Sequence, residues 1–320
     1  MKRILIIQTA FLGDVVLATP VVSELKRIFP EAGIDMLVKK GNESLLFNNP
    51  YLQDVHVFDK SGGKFKEIFR LTRIFRNNSY DLVINLHRFG SSGLITLLSG
   101  GRMKYGFRKN PFSFAFTKTF EHEIGKGTHE VTRNLNLIRE FGAVELKRPE
   151  LFPSKNDFER VASISTGKYI CLAPASVWFT KQLPEHKWVE LIRKQSTDLQ
   201  IILIGGAGDQ ALCNRIIHSA ERPNTQNLCG TLSLLESAAL MSGAEMNYVN
   251  DSGPLHLASA MNAPVTAFFC STVPEFGFGP LSDRSQIIQI DEKLDCRPCG
   301  LHGYKECPKG HFKCGSEIKI

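Results

Sequence analysis

The sequence lacks several features that would place it in large classes of protein. It has no run of about 18 apolar residues, the length needed to cross a bilayer as a helix, so no transmembrane helix is predicted. It has no Asp-x-Asp pair, which argues against a nucleotide sugar bound through a metal between paired carboxylates. The G-x-x-x-x-G-K-[ST] loop of P-loop kinases is also missing. The apolar run at residues 4–7 ends at Gln8, too early for a signal peptide, and we therefore expect a cytoplasmic protein.

The composition is that of a folded protein with a modest excess of positive charge. Of 320 residues, 42% are hydrophobic and 9% aromatic, which excludes a disordered chain, and the length favours two domains. Lysine and arginine total 39 against 32 aspartates and glutamates, giving a net charge of +7. This excess fits a phosphate-bearing ligand, a nucleic acid or an acidic membrane face, and it does not choose among them.

Short apolar runs alternate with segments of helical periodicity, and this pattern occurs twice. Between residues 145 and 157 the composition shifts to Pro, Lys, Asn and Ser, which predicts a boundary between domains 1–155 and 156–320. The alternation predicts an α/β fold of two doubly wound parallel sheets, with ligands in a cleft between the domains at the carboxyl ends of the strands. Strands are predicted at residues 4–7, 33–38, 54–57, 81–85, 169–173, 200–204, 245–249 and 265–269, and helices after a Thr19 cap and at 131–141, 187–194 and 234–241.

Asp14 follows the first predicted strand, in the segment FLGD at residues 11–14. Gly13 is expected to allow a tight turn and a close approach of the backbone to a ligand. Asp14 would then lie at the carboxyl edge of the sheet, facing the predicted cleft. An aspartate that only caps the next helix explains this segment equally well.

The run VNDSGPLH at residues 249–256 is a strand end that continues into a helix. Pro254 suits the first helical turn, and a helix start offers unpaired N–H groups and the positive end of a dipole to a phosphate. The clustering of polar residues favours a binding function over a simple turn. These residues are Asp251, Ser252, Gly253 and His256.

Two further loops follow predicted strands of the second domain. Ser176 lies in one, and Lys181 precedes an amphipathic helix, where a mobile ammonium could reach a phosphate, although such lysines are usually solvated. Residues 206–211 match the dinucleotide pattern G-x-G-x-x-G/A but lack the acidic residue about 20 positions later, so no redox cofactor is expected. Asp209 or Gln210 could still contact a ribose.

Positive charge is concentrated in the first domain. Basic residues between positions 60 and 76 alternate with Phe, Ile and Leu, as in an amphipathic helix with a solvated basic face. Attraction to an anionic membrane or an acidic acceptor is the functional alternative. No nucleic-acid partner is predicted, because no recognition motif accompanies the charge. Further basic residues are Arg88, Arg102, Lys104, Arg108 and Lys109.

The eight cysteines form two groups. Those inside apolar segments are expected to behave as small hydrophobes; they are Cys171, Cys213, Cys229 and Cys270. The others occupy a tail at residues 296–314; they are Cys296, Cys299, Cys307 and Cys314. Cysteines in a cytoplasmic chain seldom form disulfides, so a structural zinc site and unliganded thiols that pack a loop are the two alternatives.

Three segments together resemble the bacterial lipopolysaccharide heptosyltransferases of glycosyltransferase family 9. They are GDVVLATP at residues 13–20, Lys181 before Leu183-Pro184, and NDSGPLH at residues 250–256; the cysteine-rich tail is most similar to the heptosyltransferase II branch. The resemblance implies a GT-B fold and a metal-independent, inverting transfer of heptose from ADP-heptose to the lipopolysaccharide inner core. It also implies that the protein acts peripherally at the cytoplasmic face of the inner membrane. A family 9 transferase of another sugar and a non-catalytic nucleotide-binding module are the alternatives.

Residue roles follow from the same resemblance. Asp14 matches the general base that deprotonates the acceptor hydroxyl, and Lys181 matches a lysine that faces the diphosphate. Val177 stands where relatives often have a second hydroxyl, and Pro254 where Leu or Met is usual; these departures bear on donor specificity. The acceptor is expected to bind the first domain, at Arg88 and Arg108. The predicted donor-binding residues are Thr9, Gly13, Ser176, Lys181, Asp209, Asp251, Ser252, Gly253 and His256.

Overall fold

The computed structural model describes residues 1–144, 146–165 and 167–320; Glu145, at the edge of the predicted boundary, lies outside the described residues. The chain forms two compact units. The first comprises Met1–Ile124 and Thr128–Phe152, and the second comprises Gly125–Gly127 and Pro153–Ile320. None of the helices in the described ranges is both long and apolar enough to cross a membrane.

The first unit is built on a sheet of six parallel strands. These are β1 (Arg3–Gln8), β2 (Gly33–Lys39), β3 (Asp54–Phe58), β4 (Leu82–Asn85), β5 (Met103–Phe107) and β6 (Lys118–Phe120). They are arranged in the order β3-β2-β1-β4-β5-β6. The helices are α1 (Leu12–Val16), α2 (Thr19–Ile28), α3 (Lys64–Asn78), α4 (Gly90–Leu98) and α5 (Glu130–Leu135), with 3₁₀ segments at Glu43–Leu46, Ser113–Ala115 and Asn136–Phe141.

The central strands of this sheet are apolar because helices cover both faces. Residues 4–7 of β1 are fully buried. Helix α3 packs on the sheet through Ile68, Leu71 and Phe75, which share one hydrophobic cluster with Leu5. The other side of α3 is exposed and basic, and the predicted amphipathic helix is therefore confirmed.

The second unit has a second six-stranded parallel sheet. Its strands are β7 (Tyr169–Ala173), β8 (Gln200–Leu203), β9 (Thr225–Asn227), β10 (Met246–Asn250), β11 (Val265–Phe269) and β12 (Ser285–Gln289). They are arranged in the order β12-β11-β10-β7-β8-β9. The helices are α6 (Lys155–Ala162), α7 (Glu185–Lys194), α8 (Gln210–Ala220), α9 (Leu234–Gly243), α10 (Gly253–Ala260) and α11 (Lys313–Ser316), with 3₁₀ segments at Phe179–Lys181, Ala207–Asp209 and Pro274–Phe276.

The core of the second unit includes the end of the cysteine-rich tail. Trp188 of α7 packs edge-on against Phe268 of β11. Cys314 and Ile318 are buried in the same cluster, so the tail is anchored in the core.

The two sheets have the same order when the strands of each unit are counted from its own start. In both, the first and fourth strands are central neighbours: β1 beside β4, and β7 beside β10. The chain leaves these two strands toward opposite sides of the sheet, and the crevice at their carboxyl ends is where such sheets bind ligands. A ligand-binding site is therefore expected at the residues that follow β1, β4, β7 and β10.

The structure corrects several predicted elements. Residues 131–141 form α5 and then the 3₁₀ segment Asn136–Phe141, because helix ends commonly tighten in this way. Thr19 is the first residue of α2 and not its cap, and its hydroxyl donates to the carbonyl of Val16 at the end of α1. Gly13 lies within α1, so the expected tight turn is wrong. Strands β5, β6, β9 and β12 are missing from the prediction because their sequences mix polar and apolar residues.

Candidate active site

A hydroxyl and an imidazole join the ends of β1 and β4 in the first unit. Thr9 follows β1 directly and is buried, with its hydroxyl 2.9 Å from Nδ1 of His87. The backbone N–H of His87 donates to the side chain of Asn85, the last residue of β4, at 2.9 Å. Burial, followed by the charges of Lys60 and Arg88, lowers the pKa of His87 to about 4. His87 is therefore neutral near pH 7.

Asp14 follows Thr9 by five residues, and the pKa of its carboxyl group is strongly raised. It is the third residue of α1, and its carboxylate accepts a 3.2 Å hydrogen bond from the N–H of Phe11, so it does cap this short helix. Burial, reinforced by the negative charge of Glu130, raises the pKa of Asp14 to about 7, while the Phe11 N–H and the charge of Arg88 oppose the rise. A carboxyl group that titrates near neutral pH is suited to accept and release a proton.

Glu130 belongs to a buried charged cluster that the sequence did not indicate. Its carboxylate is 3.0 Å from Nε2 of His122 and accepts a 2.6 Å hydrogen bond from Nε of Arg133. Burial alone would raise the pKa of Glu130, but the bond from His122 and the charges of His122 and Arg133 lower it. Glu130 therefore stays anionic and helps to keep the pKa of Asp14 high. The i, i+3 spacing of Glu130 and Arg133 at the start of α5 could have predicted this ion pair, but it gave no sign of the contact with His122.

The two arginines predicted to bind an acceptor differ in their surroundings. Arg88 follows β4, is half-buried, and its charge acts on both Asp14 and His87. Arg108 follows β5 and forms an exposed 2.6 Å ion pair with Glu121. The structure therefore brings Arg88 to the region of Asp14 and pairs Arg108 elsewhere.

Lys60 adds a second positive charge, besides Arg88, at this edge of the sheet. Burial, and then the charges of Lys64 and Lys39, lower its pKa. Because the charge of Lys60 also acts on His87, these lysines form a positive region around the ends of β2, β3 and β4. The sequence marked Lys60 and Lys64 as basic but missed Lys39, which ends β2.

Lys181 and Asp251, far apart in sequence, form a buried ion pair in the second unit. Nζ of Lys181 lies 2.7 Å from Oδ2 of Asp251, and the same oxygen accepts a 2.6 Å hydrogen bond from the hydroxyl of Thr272. Asp251 is only 5% exposed. Lys181 is thus held in place, whereas the sequence suggested a mobile ammonium. Thr272, three residues after β11, was not predicted.

Helix α10 begins directly after this pair, as predicted from the motif at residues 250–256. Ser252 is its cap residue, in an extended conformation, and Pro254 lies in the first turn. The Ser252 side chain makes no cap hydrogen bond to the helix; its hydroxyl is 3.4 Å from the carbonyl of Asn250. The first turn, at Gly253, can therefore donate to an anion. His256 follows one turn later and is buried.

Asn250 organises the loop that contains Ser176. Its side chain donates to the carbonyl of Pro174 at 2.7 Å and accepts from the N–H of Leu183 at 2.9 Å. The carbonyl of Ser176 accepts a 2.6 Å bond from the side chain of Gln182. This network fixes both ends of the loop from β7 to Lys181. Asn250 is the first residue of the NDSGPLH segment, and the sequence predicted no role for it.

The side chains of the glycine-rich loop are used within the second unit. The carboxylate of Asp209 accepts a 2.8 Å hydrogen bond from the N–H of Gly206, and the Gln210 side chain donates to the carbonyl of Cys229 at 3.0 Å. Asp209 therefore shapes the turn into α8. A ribose contact by either residue stays a prediction.

The cysteines of the tail do not form a metal centre in the arrangement seen here. All eight cysteines are free thiols, and the four in apolar segments are buried as expected. Sγ of Cys296 is 3.9 Å from Nε2 of His311, while Cys299 donates to the carbonyl of Cys296 and Cys314 packs in the core. Over the described part of the chain, no three His, Cys, Asp or Glu residues are grouped to hold a metal ion. A structural zinc site in the tail stays a prediction, and the arrangement seen here corresponds to the alternative of unliganded thiols.

Two Rossmann-like units with the same strand order, each carrying polar groups at its switch point, are the architecture of the GT-B fold. The family model described as glycosyltransferase family 9 (heptosyltransferase) matches residues 68–305. Over 278 residues the chain is 30% identical to lipopolysaccharide heptosyltransferase 3 of Escherichia coli strain K12, covering 81% of this chain and 80% of the relative. The chain belongs to glycosyltransferase family 9 and is a glycosyltransferase.

Solved structures of similar fold agree with this result. The E. coli ADP-heptose lps heptosyltransferase II has a TM-score of 0.78 and 23% identity, covering 93% of this chain and 96% of that one. E. coli heptosyltransferase WaaC with ADP has a TM-score of 0.70 and 21% identity, covering 89% and 92%. The predicted fold and family are confirmed. The heptosyltransferase II branch stays a prediction.

Proposed function

We propose that this protein transfers heptose from ADP-heptose to the inner core of lipopolysaccharide, with inversion at the anomeric carbon and without a metal ion. Family membership supports this proposal, as do the names of its relatives, which include ADP-heptose lps heptosyltransferase II and a heptosyltransferase with ADP. The observation that carries the proposal is the position of the Asp14 carboxyl group, in the helix after β1 at the switch point of the first unit. Its surroundings raise its pKa to about 7. A module that only binds nucleotides needs no such base.

In the proposed reaction Asp14 is the general base. A sugar hydroxyl is a poor nucleophile until its proton is removed, and the Asp14 carboxylate takes this proton. The acceptor oxygen then forms a bond to the anomeric carbon while the bond from that carbon to ADP breaks on the opposite face. The configuration inverts, and the negative charge passes to the leaving diphosphate.

The second unit is proposed to bind the donor and stabilise this charge. Lys181 and the first turn of α10 supply a positive charge and N–H donors, which is the arrangement that stabilises an anionic leaving group. Asp251 acts by holding Lys181. The proposed donor-binding residues of the second unit are Ser176, Lys181, Asp209, Asp251, Ser252, Gly253 and His256, and Thr9 and Gly13 of the first unit complete the proposed set.

The first unit is proposed to bind the acidic acceptor. A lipopolysaccharide core carries carboxylates and phosphates, and Arg88 with Lys60 supplies positive charge around His87. Arg108 is the weaker candidate, since Glu121 already neutralises it. We expect loss of Arg88 to raise the acceptor KM more than the donor KM.

Contact with the inner membrane is proposed to occur through α3. Phe65 and Phe69 are 63% and 64% exposed on this helix, one turn apart, and Lys66 and Arg73 are exposed beside them. Aromatic and basic residues on one face suit an anionic bilayer surface. Replacing both phenylalanines with serine is expected to abolish cosedimentation with phosphatidylglycerol vesicles. Phe114→Ser, which changes a 79% exposed phenylalanine elsewhere in this unit, should leave it intact.

One assay tests the proposed reaction directly. The protein is incubated with an acceptor and one donor at a time. The acceptor is a lipopolysaccharide whose inner core lacks its outermost heptose, and the donors are ADP-heptose and, for comparison, UDP- and GDP-sugars. Release of the nucleoside diphosphate and the anomeric configuration of the product are measured in EDTA. We expect heptose transfer with inverted configuration. Transfer only from another nucleotide sugar would contradict the donor, and nucleotide binding with no transfer would support the non-catalytic alternative.

A further inference from the structure

The tail that follows β12 makes main-chain contact with the segment that carries Lys181. The N–H of Thr180 donates to the carbonyl of Tyr304 at 3.1 Å, and the N–H of Tyr304 donates to the hydroxyl oxygen of Thr180 at 2.8 Å. Thr180 is only 1% exposed. This reciprocal pair fixes the residue immediately before Lys181.

The end of β11 completes the enclosure of Thr180. Ser271 donates its N–H to the carbonyl of Thr180 at 3.2 Å and its hydroxyl to the Thr180 hydroxyl oxygen at 3.0 Å. The carbonyl of Ser271 accepts a 2.9 Å bond from the N–H of Cys299 in the tail. Thr180 is therefore held between the tail and the end of a core strand.

Gly303 brings the tail against the stem of Lys181 itself. Its φ is +75°, and it is buried. A β-carbon at this position would lie 2.8 Å from Oγ1 of Thr180 and 3.0 Å from Cγ of Lys181. Contacts this short require a neighbouring atom to move. One neighbour is the Lys181 side chain and the other is the residue before it, so either movement would shift the Lys181 ammonium.

Arg297 connects the tail to Asp251, the partner of Lys181. Its guanidinium donates to the carbonyls of Phe269, Cys270 and Thr272 at 3.1, 2.7 and 2.8 Å. The hydroxyl of Thr272 in turn donates to Asp251. The tail thus supports both members of the ion pair, through Thr180 on one side and Thr272 on the other.

We infer that residues 297–304 are a positioning element that holds the Lys181 ammonium where it meets the donor diphosphate. This inference rests on the proposed function, in which Lys181 faces the diphosphate. A lysine stem is flexible, and groups around a reacting centre act well only when neighbouring contacts fix them. The positioning residues of this element are Arg297 and Gly303, and Thr180, next to Lys181, is the residue through which Gly303 acts.

Gly303→Ala tests this inference against a matched control, Gly310→Ala. Gly310 has a φ of +74° in the same tail, and nothing lies within 4 Å of its β-carbon position. Both variants therefore carry the same backbone strain, and only Gly303→Ala pushes on Thr180 and Lys181. We expect kcat to fall about 10- to 100-fold in Gly303→Ala and about twofold or less in Gly310→Ala.

ADP affinity and the acceptor KM distinguish a misplaced Lys181 from a general loss of folded protein. Gly303→Ala should weaken ADP binding in calorimetry and leave the acceptor KM unchanged, because the acceptor is proposed to bind the other unit. Equal kcat values for the two glycine variants, or a loss that only follows the folded fraction, would overturn the inference. If the wild type shows no transfer, the proposed function fails, while ADP affinities of the same variants still test the tail.

A second pair decides the matter if Gly303→Ala does not fold. Thr180→Val keeps the side-chain shape but removes the oxygen that accepts from Tyr304 and Ser271, whereas Thr180→Ser keeps that oxygen. We expect kcat to fall about tenfold in the valine variant and to recover to within about threefold in the serine variant. Equal values for valine and serine would contradict a positioning role.

Discussion

The two units share one strand order but present different chemistry at their switch points, after the first strand in one unit and after the fourth strand in the other. After β1, the first unit has Asp14, whose carboxylate accepts a hydrogen bond from the backbone N–H of Phe11 and whose pKa is raised to about 7. After β10, the second unit has Asp251, which is bonded to Lys181 and Thr272. One aspartate is left able to take a proton, and the other is committed to holding a cation.

The comparison shows that the fold determines where the two aspartates lie, and that the groups around each aspartate determine its chemical role. Both aspartates occupy switch points that the strand order creates. The difference between them comes from burial and the anionic neighbour Glu130 at Asp14, and from the cationic neighbour Lys181 at Asp251. Changes to these residues should therefore have separable effects on catalysis, and changes to the two aspartates should have opposite effects on folding stability.

Removing the base should have the largest effect. Asp14→Asn is expected to lower kcat by about 10²- to 10⁴-fold, the scale for loss of a general base, because the acceptor hydroxyl keeps its proton. ADP affinity, measured by calorimetry, should stay within a few-fold because most of the proposed donor-binding residues lie in the other unit and Asp14 is not among them. Near-normal turnover by this variant would contradict the role of Asp14.

Removing the cation should have the next largest effect. Lys181→Ala is expected to lower turnover about 10- to 150-fold, equivalent to roughly 1.5–3 kcal/mol for one charge-assisted contact. Lys187→Ala, which removes a lysine paired with Glu190 on α7, is the control and should retain activity. Wild-type activity should persist in EDTA; activity restored only by magnesium or manganese would contradict a leaving group stabilised by Lys181.

The two aspartates should also differ in their effect on folding stability. Asp14 has a raised pKa in the folded protein, so its ionisation opposes folding increasingly as pH rises from about 4 to about 7. Asp14→Asn should therefore raise the free energy of unfolding by about 1–2 kcal/mol at pH 8 and by less at pH 5. Asp251→Asn should lower it by about 3 kcal/mol, because Lys181 loses its buried partner. Thermal or urea unfolding at both pH values measures the difference.

The smallest expected effect concerns metal in the cysteine-rich tail, which has no counterpart in the first unit. The cysteine spacing allows zinc, but the thiols as arranged do not form a site, so we expect protein purified without chelators to hold less than about a tenth of an equivalent. Cys296, Cys299 and Cys307 should then react readily with iodoacetamide. One equivalent of zinc with protected thiols would favour the metal alternative. Either result leaves the proposed transfer reaction unchanged.

Local patterns were sufficient to predict much of this molecule. The buried strands and the helix start at residues 250–256 follow from short runs of sequence, because apolar periodicity and turn residues act locally. Asp14 and Lys181 were found in the same way, as polar residues directly after strands or before helices. The family resemblance rests on these same segments.

The contacts that give these residues their properties could not be predicted. Lys181 meets Asp251, and Arg297 meets the carbonyls after β11, through packing of segments distant in the chain. Glu130 influences Asp14 although more than a hundred residues separate them. The sequence carries no local signal for such pairs, which depend on how the strands and loops are assembled.

The pH dependence of kcat/KM with ADP-heptose tests the central claim most directly. Because Asp14 acts only when deprotonated, kcat/KM should rise about tenfold per pH unit below pH 7 and level off above it. Glu130→Gln, which removes the anionic neighbour, should shift this midpoint to lower pH, and the residual rate of Asp14→Asn should lack the step. A wild-type profile that is flat from pH 5 to pH 9 would contradict Asp14 as the base.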